Sequence, residues 1–422
     1  MLLYRLLATS ALLAYSPFAL LRSLAGRRQL GDIRGRLGRS PYPDLDGGVW
    51  VHAVSVGEVG VARSLLRSVA RMVPGRRLGL SVTTRAGREL AERTAGEVPV
   101  FAFPLELSGA VDRALDSVRP GLVLLTETEL WPLFLERARA RGVPVALVNG
   151  RLSERSWKRY RLIRPWFARV LGHVSRFAMQ SERDAERIAS LGAPPANIRV
   201  TGNLKYDVAA PPPFPDADRI RATARGRPIL VAGSTGEGEE SRVLEAWKRL
   251  SAPTLLALAP RRPERFGSVA AELERRGERV LRRSGPAKPG ATVYLLDSIG
   301  ELASLYREGA IAFLGGSLVP AGGHNPIEAW AAGSPVVVGP STENFADVVG
   351  RGEKLGILRR VADEAGLARA WEEALADPAA TKRAGAQAER FVAESRGAAD
   401  LTAAFVLPLL PTAASRPASR AG

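Results

Sequence analysis

Cysteine is absent from this chain, and histidine occurs only three times, at His52, His173 and His324. The first absence excludes disulfides, thiolate metal sites and cysteine nucleophiles together. The second, with the three histidines far apart in sequence, argues against a histidine-rich metal centre. Acidic residues are in deficit: 43 Asp+Glu face 60 Lys+Arg, a formal net charge of +17. That imbalance favours anionic partners, whether phospholipid headgroups, phosphorylated substrates or nucleic acid. The chemistry must rest on carboxylates, cations, hydroxyls and backbone amides. Apolar residues are plentiful, 46% of 422, which suffices for two domain cores and rules out wholesale disorder.

Residues 6–21 form an uncharged run. As a helix it would span about 24 Å, short of the ~30 Å hydrocarbon core, and Pro17 would kink it. Three readings fit: a cleaved signal peptide ending near Ser23-Leu24-Ala25, a short spanning helix, or an anchor lying in one leaflet. Arg22, Arg27, Arg28, Arg34, Arg36 and Arg39 follow against a single acid, Asp32. Such flanking cations favour an anchor or a spanning helix over a cleaved signal peptide, with the bulk of the chain on the cytoplasmic face.

From Gly48 onward short apolar runs alternate with amphipathic ones. Strands are predicted at 49–54, 78–83, 122–126, 143–148 and 177–179, with helices at 59–72, 85–93 and 183–191. Residues 211–215, Pro-Pro-Pro-Phe-Pro, break every periodicity and mark a boundary. Strands resume at 229–232, 254–259, 292–295, 310–314 and 335–338, with helices at 239–250, 264–276 and 325–332. Alternation of this kind implies parallel sheets covered on both faces. The expected organisation is an anchor at 1–25, a Rossmann-like domain at 26–210, a linker at 211–225, a second Rossmann-like domain at 226–407 and a disordered tail at 408–422. Two doubly wound α/β domains place a ligand in the cleft between them, at the carboxyl ends of the strands.

In the first half, Ser55-Val56-Gly57-Glu58 follows a strand and opens a helix. Glu58 is either a general base at the strand end or a first-turn acid stabilised by the helix dipole. Ser55 either caps that turn or touches a ligand. Glu127 and Glu129, in the run from Thr126 to Pro132, sit at the mouth of the same sheet. They can orient an acceptor hydroxyl, or Glu129 can simply open a helix beside a core Trp131. Between Arg151 and Arg176 eight cations, among them Arg155, Lys158, Arg159 and Arg161, are interleaved with Trp157, Tyr160, Trp166 and Phe167. Nucleic acid, an anionic membrane and a solvated helix face all fit that pattern; the membrane agrees with the N-terminus. Lys205 either reaches a ligand anion or forms a hinge ion pair.

In the second half, Gly233-Ser234-Thr235-Gly236 follows a strand and opens a helix, offering backbone amides to a phosphate. Arg261 and Arg262 follow the next strand. The strongest feature runs from Gly315 to Glu328, with glycine pairs at 315–316 and 322–323, then His324, Asn325 and Pro326. A second glycine pair lets a ligand approach the backbone closely, amides at the helix start favour phosphate, and Glu328 can accept from a ribose.

These motifs resemble those of the 3-deoxy-D-manno-octulosonic acid (Kdo) transferases. The chain carries HAVSVGEV, TETELWP, NGRLSERSW, GNLKYD, GELASLY, GGSLVPAGGHNPIEA and GPSTENF in order. The resemblance implies a GT-B fold of two Rossmann-like domains facing a central cleft, with no cofactor. It implies inverting transfer of Kdo from CMP-Kdo to a lipid A precursor during lipopolysaccharide synthesis at the inner membrane, on its cytoplasmic face. Glu58 becomes the general base and Glu127 a second acidic residue of the site. Lys205, Ser234, Arg261, Gly322, Gly323, Asn325 and Glu328 become donor-binding, with CMP on the second domain. Arg155, Lys158, Arg159 and Arg161 become a surface for the acceptor and anionic phospholipid, and no nucleic-acid partner is implied. Another GT-B enzyme with a different nucleotide sugar is the alternative. Two positions depart from the family pattern: Gly236 and Arg262 stand where histidines are usual, so no role of those histidines is carried over.

Overall fold

The computed structural model describes residues 34–411. The expected anchor at 1–25, the cations Arg22, Arg27 and Arg28, and residues 412–422 of the expected tail lie outside the described residues. Among the described residues, no helix is long and apolar enough to cross a membrane.

The chain forms two compact units, each built on one parallel sheet. The first sheet comprises β1 (Val49–Ala53), β2 (Leu78–Val82), β3 (Val100–Ala102), β4 (Leu122–Thr126), β5 (Val145–Gly150), β6 (Arg176–Met179) and β7 (Ile198–Val200). Their order is β3-β2-β1-β4-β5-β6-β7. The second comprises β8 (Ile229–Thr235), β9 (Leu255–Pro260), β10 (Val280–Arg282), β11 (Val293–Leu295), β12 (Ile311–Leu314), β13 (Val336–Val338) and β14 (Leu358–Arg360). Their order is β10-β11-β9-β8-β12-β13-β14. In each sheet the first strand in sequence lies inside; in the first unit the chain winds outward from it in both directions, and in the second β11 returns to lie between β9 and the edge strand β10.

Side-chain alternation explains why both faces must be covered. Val49, Val51 and Ala53 join Val59, Ala62 and Leu65 of the helix Val56–Met72 in one core, whereas Trp50 packs on the opposite face with Val111 and Phe134. A strand buried on both sides reads as a continuous apolar run, which is why VWVHA is legible in the sequence. In the second unit Leu230, Ala232, Leu258 and Phe313 pack against Val243, Leu273 and Trp371.

Three expectations are corrected. The second unit is Val208–Ser395, and the chain returns to the first unit at Arg396, so 396–407 does not belong to the second domain. The reason is local: in the helix Ala398–Val406, Ala398, Ala399, Ala403 and Val406 fill the first-unit core beside Val59 and Ala62. Asp207 fixes the helix start by accepting the Gly397 N–H at 2.6 Å. The expected linker 211–225 contains the helix Ala217–Ala224, with Ile220 buried, and Phe214 packs edge-on against Tyr294 at 6.2 Å. Leu409 and Leu410, expected in a disordered tail, lie against the first-unit core.

Candidate active site

In a doubly wound sheet the loops that diverge at the point of strand reversal leave a crevice at the carboxyl ends of the strands. The reversal falls between β1 and β4 in the first unit and between β8 and β12 in the second. Glu58 and Glu127 follow β1 and β4; Ser234 lies next to the final residue of β8, Thr235, and the Gly315–Glu328 segment follows β12. Topology alone therefore gathers most of the sequence-predicted residues at these two points.

Glu58 lies in the first turn of the helix Val56–Met72 and is only 6% exposed. Its Oε2 accepts from the Val54 N–H at 3.0 Å and lies 2.6 Å from Thr126 Oγ1, while Oε1 accepts from Ser55 Oγ at 2.9 Å. Burial raises its pKa most; donation from Thr126 and Val54 opposes this, the charge of Glu127 adds to it, and donation from Ser55 opposes it again. Ser55 makes no side-chain cap to the helix, so its hydroxyl serves Glu58 instead. Glu127 adopts a left-handed backbone (φ 56°) immediately after β4, and its Oε1 lies 2.9 Å from Lys205 Nζ. Lys205 is thereby brought into the acidic site of the first unit, on the short 3-10 helix Leu204–Tyr206. Asn149, also left-handed (φ 53°), secures that segment by accepting the Leu204 N–H at 3.0 Å.

Glu129 is the third carboxylate of this site, and of its two sequence readings the structure disfavours the helix-opening one. It precedes the helix Pro132–Ala140, whose N-cap is Trp131, so it is not a first-turn acid. Burial, then the charges of Glu58 and Glu127, push its pKa up to about 7. The alternating acids of Thr126-Glu127-Thr128-Glu129 were the available signal. His52, wholly buried and stacked on Phe103 at 3.8 Å, is pushed down to about 3 by burial and is neutral.

In the second unit Ser234, next to last in β8, has a left-handed backbone (φ 56°), at a register shift between Gly233 and Thr235. Glu127, Asn149 and Ser234 are non-glycine residues in a strained conformation at strand ends, a pattern concentrated at functional sites. The loop after β8 is braced by two acids. The Glu240 carboxylate accepts from Thr235 Oγ1 and pairs with Arg265, all at 2.8 Å. Glu239, wholly buried, accepts the backbone N–H of Gly236 (2.7 Å), Gly316 (2.5 Å), Ser317 (3.0 Å) and Leu318 (2.9 Å). Gly236 thus contributes its backbone N–H to that brace without needing a side chain. Arg262, at the other departure from the family pattern, is exposed.

Gly322 and Gly323 are clasped by the Ser341–Asn344 loop. Ser341 Oγ accepts the Gly322 N–H at 2.8 Å, and the Gly322 carbonyl accepts the Asn344 N–H at 3.0 Å. A Cβ on Gly322 (φ 84°) would lie 2.2 Å from Asn344 Nδ2, so only glycine fits. Asn325 Oδ1 accepts the Ile327 N–H at 3.2 Å, and the helix Ile327–Ala331 is five residues long. Its dipole is correspondingly small, so a phosphate there would rely on loop amides and nearby cations. Arg261 is exposed and has no ion-pair partner among the described residues. Burial of the carboxyl among its neighbours pushes the Glu328 pKa up and the charge of Arg261 opposes this, although part of the residue's surface reaches solvent. Burial, then Arg261, pushes His324 down to about 4, leaving it neutral.

On the helix Glu154–Leu162, Arg155, Lys158, Arg159 and Arg161 are all exposed. Lys158 pairs with Glu154 at 3.0 Å and Arg161 stacks over Trp157 at 4.9 Å. The helix ends in two outward apolar side chains, Leu162 at 85% and Ile163 at 47% exposure. Among the described residues no histidine and carboxylate cluster is arranged to hold a metal ion.

Residues 31–208 match the family model described as 3-deoxy-D-manno-octulosonic-acid transferase (kdotransferase), and residues 281–391 match that of glycosyl transferases group 1. The 3-deoxy-D-manno-octulosonic acid transferase of Haemophilus influenzae is 34% identical over 412 residues, covering 94% of this chain and 96% of the relative. The Bordetella pertussis protein of the same description is 37% identical over 381 residues, covering 86% and 88%. Among solved structures, the glycotransferase of kitacinnamycin has a TM-score of 0.53 at 14% identity, covering 86% of this chain and 99% of that one. A UDP-GlcNAc 2-epimerase from Neisseria meningitidis scores 0.51 at 14% identity, covering 82% and 99%. These two likenesses concern the fold, two Rossmann-like domains of GT-B type.

Proposed function

Because the chain belongs to the 3-deoxy-D-manno-octulosonic acid transferase family, and so is a glycosyltransferase, we propose that it moves Kdo from CMP-Kdo to a hydroxyl of a lipid A precursor, with Glu58 as general base. The observation that carries this reading is the Glu58 carboxyl itself. It is buried at the point of strand reversal and held by three donors, and its pKa is raised toward the range a base needs at neutral pH.

Glu58 takes the proton of the acceptor hydroxyl. The acceptor oxygen forms a bond to the anomeric carbon of Kdo as the bond from that carbon to the CMP phosphate oxygen breaks, with inversion. Negative charge gathers on the departing phosphate, which the amides around Gly322, Gly323 and Asn325 and the guanidinium of Arg261 suit. Glu328 suits the ribose hydroxyls. His324 is neutral and contributes hydrogen bonds there, not charge. Glu127, paired with Lys205, holds the acidic side of the site in place.

The acceptor is an anionic lipid, and the exposed cations of the helix Glu154–Leu162, with Leu162 and Ile163 at its end, suit contact with an anionic bilayer on the cytoplasmic side of the inner membrane. Purified protein in detergent, supplied with CMP-Kdo and a tetraacylated lipid A precursor, should add Kdo mass to the acceptor. Glu58→Gln should lose at least a hundredfold in turnover while still binding CMP. Turnover at the parent rate in that variant sinks the base assignment.

A further inference from the structure

Thr126, the last residue of β4, is wholly buried, and its Oγ1 touches two acceptors. Glu58 Oε2 lies at 2.6 Å and the His52 carbonyl oxygen at 2.9 Å. A hydroxyl carries one hydrogen, and a carbonyl can only accept, so both contacts cannot be donations at once. When Glu58 is ionised, the shorter and charged acceptor takes the hydrogen.

The two oxygens of Glu58 are therefore unequal. Oε2 is occupied by the Val54 N–H and the Thr126 hydroxyl, whereas Oε1 has Ser55 Oγ alone. Oε1 keeps the free lone pair. We propose that Thr126 is a positioning residue that anchors Oε2 of Glu58 and so presents Oε1 as the atom that takes the acceptor's proton. Once Glu58 is neutral its hold on the hydroxyl hydrogen weakens, and that hydrogen can turn to the His52 carbonyl. The buried hydroxyl therefore has a partner before and after proton transfer. This inference rests on Glu58 being the base.

The charged groups that bear on this pair are few. Glu127 and Glu129 reach Glu58 from the segment after β4, and Lys205 offsets Glu127. His52 is neutral and contributes only its carbonyl. Donation from Thr126 favours the ionised carboxylate and lowers the Glu58 pKa, so its removal must raise that pKa.

The test is the pH dependence of kcat/KM for Kdo transfer by the full chain in detergent. Thr126→Val keeps the shape and removes the donor. Its acidic limb should move to higher pH by about one unit, with the lost activity regained as the pH is raised. Thr126→Ser keeps the donor and should retain the parent limb. A merely structural role would lower activity at every pH without moving the limb. A Val variant whose limb coincides with the parent's, or a Ser variant that shifts as Val does, overturns the proposal. If the Val variant does not fold, Thr126→Ala against Thr126→Ser makes the same comparison. Glu58→Gln run alongside separates the two failures: an active Gln variant removes the base itself, whereas an inactive one with an unmoved Val limb removes only the role of Thr126.

Discussion

The Lys205 ammonium lies 2.9 Å from the Glu127 carboxylate, and the two residues reach each other across a long stretch of sequence. Glu127 comes from the left-handed residue after β4 and Lys205 from the 3-10 turn that Asn149 holds in place. Both side chains are mostly buried, at 23% and 17% exposure, so this pair is worth more than a surface ion pair.

Lys205→Met should destabilise the protein by about 1–3 kcal/mol, because it leaves the mostly buried Glu127 carboxyl without its cation beside two other carboxyls. Glu127→Gln added to Lys205→Met should recover much of that loss. Urea unfolding of the parent, the two single variants and the double variant checks this. Additivity within about 0.5 kcal/mol would show the pair to be uncoupled.

Glu129 sets a second expectation. Its folded pKa, about 7, is raised above its ordinary value, 4.5. The folded state therefore binds this proton more tightly, and the stability it contributes is full below about pH 4.5 and lost as pH rises through 7. Glu129→Gln, which stays neutral, should leave melting behaviour unchanged at pH 4.5. At pH 8.5 it should stabilise on the order of 1–2 kcal/mol, a figure discounted for partial exposure of the side chain. A thermal-melting series across that range reads it, and a difference that grows toward acid would contradict the assignment.

The third expectation concerns the membrane. Replacing Arg155, Lys158, Arg159 and Arg161 with glutamine should remove about 1 kcal/mol of attraction per charge to anionic vesicles. The salt-sensitive part of vesicle binding should fall, with the fold intact by circular dichroism. Leu162→Ser with Ile163→Ser, which removes the apolar contact without adding charge, should weaken binding about tenfold at any salt concentration, since an apolar contact is not screened. Co-sedimentation that keeps the parent's salt dependence in the quadruple variant would remove this helix from the membrane surface.

The strands that the sequence reading identified are those at or near the centre of each sheet, and the ones it missed share one property. β3, β7, β10 and β14 are the four edge strands, each three residues long. Arg359 and Arg360 of β14, and Arg199 of β7, face solvent. An edge strand is buried on fewer sides and takes charged residues, as β7, β10 and β14 do, so it lacks the apolar run by which an inner strand shows itself; β3 is apolar, but Pro99 and Pro104 cut its run short. The domain boundary failed for a different reason. A helix such as Ala398–Val406 reads the same whichever core its alanines fill, and only the long-range contact with Val59 and Ala62 assigns it to the first unit.

By itself the sequence determined the class of fold, the glycine-rich segments and the motif that carries Glu58, because local pattern and motif spacing survive without knowledge of neighbours. Tertiary structure decided what surrounds that carboxylate. Thr126, Glu127, Glu129 and Lys205 meet Glu58 or one another only because β1 and β4 lie side by side at the point of strand reversal and Asn149 holds the Lys205 turn. The same holds for Glu239, whose carboxylate reaches residues 316–318 only through the pairing of β8 with β12. Burial and hydrogen-bond partnership are properties of the folded neighbourhood, and they fix which carboxyl is charged and which oxygen is free.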